Sequence, residues 1–305
     1  MDQPSGYTPS MLDYDTIIIG AGAAGLMCAG EATKSGRRVL VLERAPKVGQ
    51  KIRISGGGRA NFTNLHASPA NFLSDNPRFC TSALARYTQH DFIALVEKHK
   101  IAYHERDHGQ LFCDGPAWQI TDILMAEARG TDILISIDVQ RVSKSEEGFT
   151  VETDRGTYQG TSLVMATGGP SIPKMGSTGF GYEVAKQFAL NVIEPRPGLV
   201  PLTFDAETMA RLDGLAGVSL DATATHGKTS FTEALLFTHR GLSGPVILQI
   251  SSYWRPGDTL TIDLLPGTDI FDHLKTAQKN EPRKEVRTIL SNLLPRALAH
   301  RLADW

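Results

Sequence analysis

Apolar and polar positions follow two periods along this chain, and the changes of period mark its elements. Thr16-Ile17-Ile18-Ile19 is a short unbroken apolar run, the pattern of a parallel strand buried on both faces. After Gly20 a helical stretch of small residues follows, closed near Gly36. A second apolar strand runs from Arg38 to Leu42 and meets Glu43. Residues 78–104 carry a helical period, with Phe79, Leu84, Tyr87, Phe92, Leu95 and Val96 mostly on one face, which predicts packing. Another helix is predicted from Ile120 to Arg129. Ile133–Val142 alternates as a strand and Phe149–Thr153 likewise, with Lys144–Gly148 as the hairpin turn. Thr157–Leu163 continues the β pattern into an apolar strand that ends on Thr167-Gly168-Gly169.

Prolines punctuate the next stretch of chain, at Pro170, Pro173, Pro195, Pro197 and Pro201, with a short helix predicted from Gly181 to Leu190. Pro195-Arg196-Pro197-Gly198 is the strongest boundary in the chain. Beyond it the pattern predicts strands at Leu199–Phe204, Val218–Thr223, Lys228–Thr232, Val246–Ser251 and Thr259–Leu264, then helices at Phe271–Lys279 and Lys284–Ala303.

The first strand, turn and helix carry chemistry. Gly20-Ala21-Gly22-Ala23-Ala24-Gly25 is a GxGxxG turn between strand and helix, with an acid closing the next strand. In that context Gly20 serves the tight turn, Gly22 admits a pyrophosphate close to the backbone, and Gly25 lets the helix approach the sheet. The helix N-terminus offers N–H groups to phosphate, and Glu43 can accept hydrogen bonds from an adenosine ribose. A glycine-rich turn without a ligand is the plainer reading, which the surrounding strand-helix-strand-acid context opposes. The ligand so implied is an adenine dinucleotide, FAD or NAD. The strand ending at Ala166, Thr167 and Gly168 suits a parallel neighbour facing the same crevice, although a buried strand meeting an ordinary turn would look the same.

Residues 44–64 are basic and glycine-rich, with Arg44, Lys47, Lys51, Arg53 and Arg59 and no acid among them. Charges alone would suggest a solvated face; Ser55-Gly56-Gly57-Gly58 beside them, directly after the dinucleotide unit, favours ligand contact. His104 and His108 stand four apart, but Glu105, Asp107 and Gly109 suggest a turn near a strand end, and no third metal ligand is in view. The segment from Phe237 to Pro245 reads as a loop between strands, structural or facing a substrate.

Composition narrows the setting. At 305 residues there is room for two domains. A hydrophobic share of 41% and a charged share of 21% suit a globular protein. A net charge of −2 gives no global case for nucleic acid or membrane binding. Three widely spaced cysteines support neither a disulfide framework nor a zinc site. Residues 1–13 read as a polar tail without a signal-peptide core, and no apolar run is long enough for a bilayer, so a cytosolic setting without a membrane partner is expected.

Five motifs, IIIGAGAAGL, KIRISGGGRANFTN, MATGGPSIP, RPGLVPLTF and LLFTHRGLSGPVILQISSYW, together resemble the BaiN/RdsA-type NAD(P)/FAD-dependent oxidoreductases, from about residue 14 onward. The resemblance implies an α/β, Rossmann-like, two-dinucleotide-binding-domain flavoprotein fold. It implies an FAD domain over residues 14–195 and an inserted β-rich domain with terminal helices over 196–305. The expected FAD contacts are Gly20, Gly22, Ala23, Ala24 and Gly25 on the pyrophosphate and Glu43 on the ribose, with Arg44 and Lys51 beside them. Ser55, Gly56, Gly58, Arg59 and Asn61 are expected near the isoalloxazine, Val139 at the end of its strand on the adenine side, and Ala166, Thr167 and Gly168 along the crevice. Many relatives carry Cys where this chain has Ala60, so a thiol role there is excluded. The family also continues past the position matching Trp305, with a tail expected to return to the FAD domain.

Such a protein takes hydride from NAD(P)H and passes it to an electron-poor C=C bond. The resemblance points to a uridine of large-subunit rRNA, giving dihydrouridine, with a small-molecule enone or a non-catalytic flavin- or nucleotide-binding role as alternatives. An NAD-only dehydrogenase would leave the basic triple-glycine loop without a task. The substrate is expected between the Ser55–Asn64 loop and the Phe237–Pro245 segment, with Arg53 and Arg240 among its contacts and His239 as a candidate proton donor.

Overall fold

The structure, a computed structural model, describes residues 13–305, so the tail expected at 1–13 lies, Asp13 apart, outside the described residues. The chain separates into two compact units, one ending at Ile193 and the other spanning Glu194–Trp305.

The first unit begins with β1 (Tyr14–Ile19), α1 (Ala23–Lys34), β2 (Val39–Glu43) and α2 (Gln50–Ile54). It continues through β3 (Asn61–Asn64), α3 (Thr81–Arg86), α4 (Gln89–Lys98), β4 (Tyr103–Arg106), β5 (Gln110–Cys113) and α5 (Trp118–Glu127). β6 (Asp132–Ile135), β7 (Val139–Lys144), β8 (Phe149–Thr153), β9 (Gly156–Met165) and α6 (Phe180–Gln187) complete it. Six strands form one sheet in the order β6-β2-β1-β9-β8-β7, parallel from β6 to β9 and antiparallel at β8 and β7.

The unbroken apolar run of β1 has a direct cause. Ile18 packs on one side of the sheet with Leu26, Val41, Ile123 and Leu124, while Ile17 and Ile19 pack on the other with Leu40, Leu42 and Val151. Each such side chain contributes about 1.5–3 kcal/mol on burial. A second, three-stranded antiparallel sheet, β3-β5-β4, stands apart from the first.

The structure departs from several of these expectations. Ile133–Val142 is not one strand: the backbone turns left-handed at Ser136 (φ 55°), β6 joins β2 at one edge of the sheet and β7 joins β8 at the other. Alternation alone does not reveal such a break. Val139 consequently begins a strand rather than ending one. The helical period over 78–104 resolves into α3, α4 and β4. Thr88 caps α4, its hydroxyl accepting from the Asp91 amide while the Asp91 carboxylate accepts from the Thr88 amide. Phe92, Leu95 and Val96 join the core, but Phe79 is 80% exposed.

The second unit contains β10 (Leu202–Thr203), α7 (Ala206–Arg211), β11 (Ser219–His226), β12 (Thr229–Thr238), β13 (Gly241–Ser243) and α8 (Pro245–Ser251). β14 (Thr261–Asp263), α9 (Ile270–Asn280), α10 (Val286–Leu290) and α11 (Arg296–Ala303) follow. Its strands form an antiparallel sheet in the order β10-β13-β12-β11-β14. Val246–Ser251, expected as a strand, is the helix α8, started by Pro245 at its first turn. Val246, Ile247 and Ile250 are its buried positions, a helical spacing hidden inside a short apolar run. Only Leu202 and Thr203 of the expected Leu199–Phe204 strand pair as one, and the terminal helix divides into α10 and α11 around Pro295.

Candidate functional site

The parallel strands β1, β2 and β9 end together, and β1 is where the strand order reverses, with β2 on one side and β9 on the other. A crevice opens at such a point because successive crossovers leave the central strand in opposite directions. A cavity of about 620 Å³ occupies it. Ile19–Ala24, Leu42–Ala45, Gly49–Ile52, Ile137–Val139, Ala166–Gly168, Met175–Thr178, Phe180 and Glu183 form its wall.

The glycines of the turn divide by task. A Cβ on Gly20 would lie 2.5 Å from the Ala166 carbonyl oxygen, and one on Gly25 would collide with the carbonyl oxygen of Gly20. Both therefore serve close backbone packing. Gly22 has nothing within 4 Å of the same position and opens onto the cavity. It also begins α1 with no side-chain cap, and the first turn of that helix has no acid. Unpaired amides and the positive helix end thus face the cavity, the combination that accepts phosphate.

Glu43 closes this cradle. Its carboxylate accepts the Ala21 amide at 2.6 Å and the Ala45 amide at 2.7 Å, one on each oxygen. The side chain thereby fixes the glycine turn and the chain leaving β2, and each oxygen keeps a lone-pair direction for a further donor. Arg44 pairs with Asp138 at 3.6 Å, on exposed side chains. Lys51 donates to the Gly169 carbonyl (3.2 Å) and the Ser171 hydroxyl (2.9 Å), tying α2 to the chain after β9. Open glycine, free helix amides and an acid at the end of β2 fit the pyrophosphate and ribose of an adenine dinucleotide.

Sequence comparison agrees with that architecture. The model of the HI0933-like protein Rossmann domain matches residues 14–240, and that of the HI0933-like protein barrel and H2TH domain matches residues 196–305. The chain belongs to the HI0933-like family. Its first unit has the Rossmann-type architecture named for that family, and the relatives that follow make it an oxidoreductase. A ribosomal RNA dihydrouridine synthase of Escherichia coli is 49% identical over 95% of this chain and 73% of its own length. One from Haemophilus influenzae is 47% identical over 93% and 72%. A 3-dehydro-bile acid delta(4,6)-reductase of Clostridium scindens is 25% identical over 94% and 74%.

Within this HI0933-like chain, the cavity wall brings together Gly20, Gly22, Ala23, Ala24, Glu43, Arg44, Lys51, Val139, Ala166, Thr167 and Gly168. Gly25 lies behind it as a packing residue. Ser55, Gly56, Gly58, Arg59 and Asn61 are not in the wall. They form a 3-10 turn leading into β3, with left-handed backbone at Gly56, Gly57 and Gly58 (φ 56°, 65° and 84°). Arg59 and Gly58 hold it in place, the former donating from its guanidinium to the Asp114 carbonyl and the latter accepting from the Ala117 amide. Arg53 donates to the Val48 carbonyl at 3.3 Å.

His239 and Arg240 occupy the exposed two-residue tip between β12 and β13, where the Thr238 hydroxyl accepts the Arg240 amide. The segment expected as a long loop is thus a tight hairpin followed by a helix. His104 lies on β4 and donates from its ring to Asp114 at 2.6 Å, while His108 lies in the following turn. Among the described residues no group of three or more His, Cys, Asp or Glu is placed to hold a metal. Nor is any described helix long and apolar enough to cross a membrane.

Sequence reasoning missed Gly49–Gln50, Ile137–Asp138 and the Met175–Glu183 side of the cavity. Gly49 (φ 66°) precedes α2 and donates its amide to the Ala21 carbonyl, a backbone contact with no residue pattern of its own. Met175-Gly176-Ser177-Thr178 followed by a helix was the available signal for the far wall.

Proposed function

We propose that this chain is an FAD-dependent reductase that transfers hydride from NAD(P)H to the C5=C6 bond of a uridine in large-subunit rRNA, giving dihydrouridine in the cytoplasm. The carrying observation for the cofactor is the crevice at the ends of β1, β2 and β9, with Gly22 open and Glu43 at its edge. The substrate reading is supported by the near-half identity to two proteins named as ribosomal RNA dihydrouridine synthases. A reductase of a small enone is the second reading, favoured by the bile-acid reductase relative, which spans almost the same part of this chain.

A bound flavin supplies the hydride chemistry, taking two electrons from a nicotinamide and delivering them to an electron-poor C=C bond. The residues here bind and orient it. Amides at Gly22–Ala24 and the α1 N-terminus would hold the pyrophosphate, and Glu43 would receive the ribose hydroxyls on the lone pairs not used by Ala21 and Ala45. Val139 would offer apolar surface to the adenine. Lys51, already bridging Gly169 and Ser171, would keep a positive charge at the crevice wall beside a bound flavin.

The direct test supplies unmodified large-subunit rRNA and, separately, a steroid enone, each with NAD(P)H. A gain of two hydrogens on a uridine, read by nucleoside mass spectrometry, supports the RNA reading. Turnover of the enone alone would replace it with the second.

A further inference from the structure

The β3-β5-β4 sheet carries a second constellation, outside the cavity wall. Its register sets Asn61, Phe112 and His104 side by side, with Gln110 and Arg106 in the next row. Phe112 is the floor, 7% exposed, packed on the Gly56 side where a Cβ would come within 2.9 Å of its ring. Above that floor lie two exposed planar groups. The His104 ring is stacked at 6.3 Å and 20° to Phe112, and the Arg106 guanidinium carbon lies 4.2 Å from the same ring centre.

These groups are held rather than free to swing. Arg106 donates from Nε to His104 Nε2 at 3.3 Å, which puts the imidazole proton on Nδ1, donated to Asp114 at 2.6 Å. One oxygen of the Asp114 carboxylate takes that proton, and the Asp114 carbonyl takes the Arg59 guanidinium. Asn61 donates to Gln110 at 3.0 Å, leaving amide groups of both able to bond outward. Glu105 falls on the other face by strand alternation. The result is a surface of ordered, planar hydrogen-bonding side chains that carries the Arg106 and Arg59 guanidinium groups together with the Asp114 carboxylate. It joins the cavity wall at α2 through the short Ser55–Ala60 turn.

Unstacked RNA bases are recognised by stacking on aromatic rings and guanidinium planes and by hydrogen bonds to their edges, with phosphates drawn to neighbouring cations. We propose that this sheet face is the landing surface for single-stranded RNA, with a base on the Arg106–His104 pair, base edges toward Asn61 and Gln110, and phosphate at Arg59. This rests on the reading of RNA as the substrate.

The test is fluorescence anisotropy of a labelled uridine-rich single-stranded RNA with the full chain, across a salt series. Arg106→Gln and His104→Gln alter exposed groups and leave Phe112 in place. Arg106→Gln should weaken binding about tenfold and leave FAD affinity within about twofold, because neither residue lines the cavity. Arg59→Gln should flatten the log–log salt slope by about 0.7. Unchanged RNA affinity in all three variants, with the wild type binding, would overturn this surface while leaving RNA as the substrate. Absence of RNA binding by the wild type at low salt would overturn both.

Discussion

Replacing Glu43 by Gln is the sharpest perturbation of the cofactor cradle. The carboxylate accepts two backbone amides at 2.6 and 2.7 Å, one per oxygen. Glutamine is neutral and turns an amide toward one of the two N–H groups, so one charge-assisted bond becomes a facing pair of donors and the other loses its charge assistance. Such a bond contributes about 1.5–3 kcal/mol. The loss acts on the glycine turn as well as on the ribose. FAD affinity should therefore fall about ten- to hundredfold, and flavin-free stability should fall by about 1–3 kcal/mol. Flavin fluorescence titration gives the first quantity and urea unfolding of flavin-free protein the second. FAD affinity within twofold of wild type would refute the ribose assignment. Unchanged flavin-free stability would refute the bracing of the turn.

Other substitutions separate packing from binding. Gly25→Ala should destabilise the first unit by about 1–3 kcal/mol or more, because its Cβ meets the Gly20 carbonyl; thermal unfolding measures this. Gly22→Ala, with open space and φ −81°, should leave stability within about 1 kcal/mol, yet weaken FAD binding at least about tenfold in a flavin titration. Glu127 receives Lys98, His99 and Lys34, which together hold its carboxyl down at about 2 against an ordinary 4.5. Its stabilisation is therefore complete above the ordinary value and lost as pH falls through about 2. Since both lysines are exposed, Glu127→Gln should cost about 1–2 kcal/mol at neutral pH and flatten the acid limb of a urea-stability series. If His239 donates the proton to substrate, His239→Ala should slow flavin reoxidation by RNA about a hundredfold while leaving reduction by NAD(P)H unchanged in separate stopped-flow half-reactions.

The dinucleotide unit was legible because its parts are local. Strand, glycine turn, helix and terminal acid lie within thirty residues of one another, and each residue type answers a nearby backbone constraint. The division of labour between Gly22 and its partners was not legible as geometry, since the colliding atoms belong to Ala166 and to Gly20 itself. Ser136 broke an alternating run by a backbone turn that no side-chain pattern announces. Val246–Ser251 became a helix because a six-residue segment with four apolar positions satisfies both periods and the sheet of the second unit supplied the surface to pack on. The β3-β5-β4 face was invisible in sequence because it assembles Asn61, His104, Arg106 and Phe112 from three strands by register.

The most direct measurement is an anaerobic absorption spectrum of the purified protein loaded with FAD, followed through two additions. The flavin-reductase assignment predicts that NAD(P)H bleaches the visible flavin bands and that unmodified large-subunit rRNA then restores them, with dihydrouridine formed in proportion. A bound flavin that NAD(P)H leaves oxidised, or a reduced flavin that neither RNA nor an enone reoxidises, would contradict it.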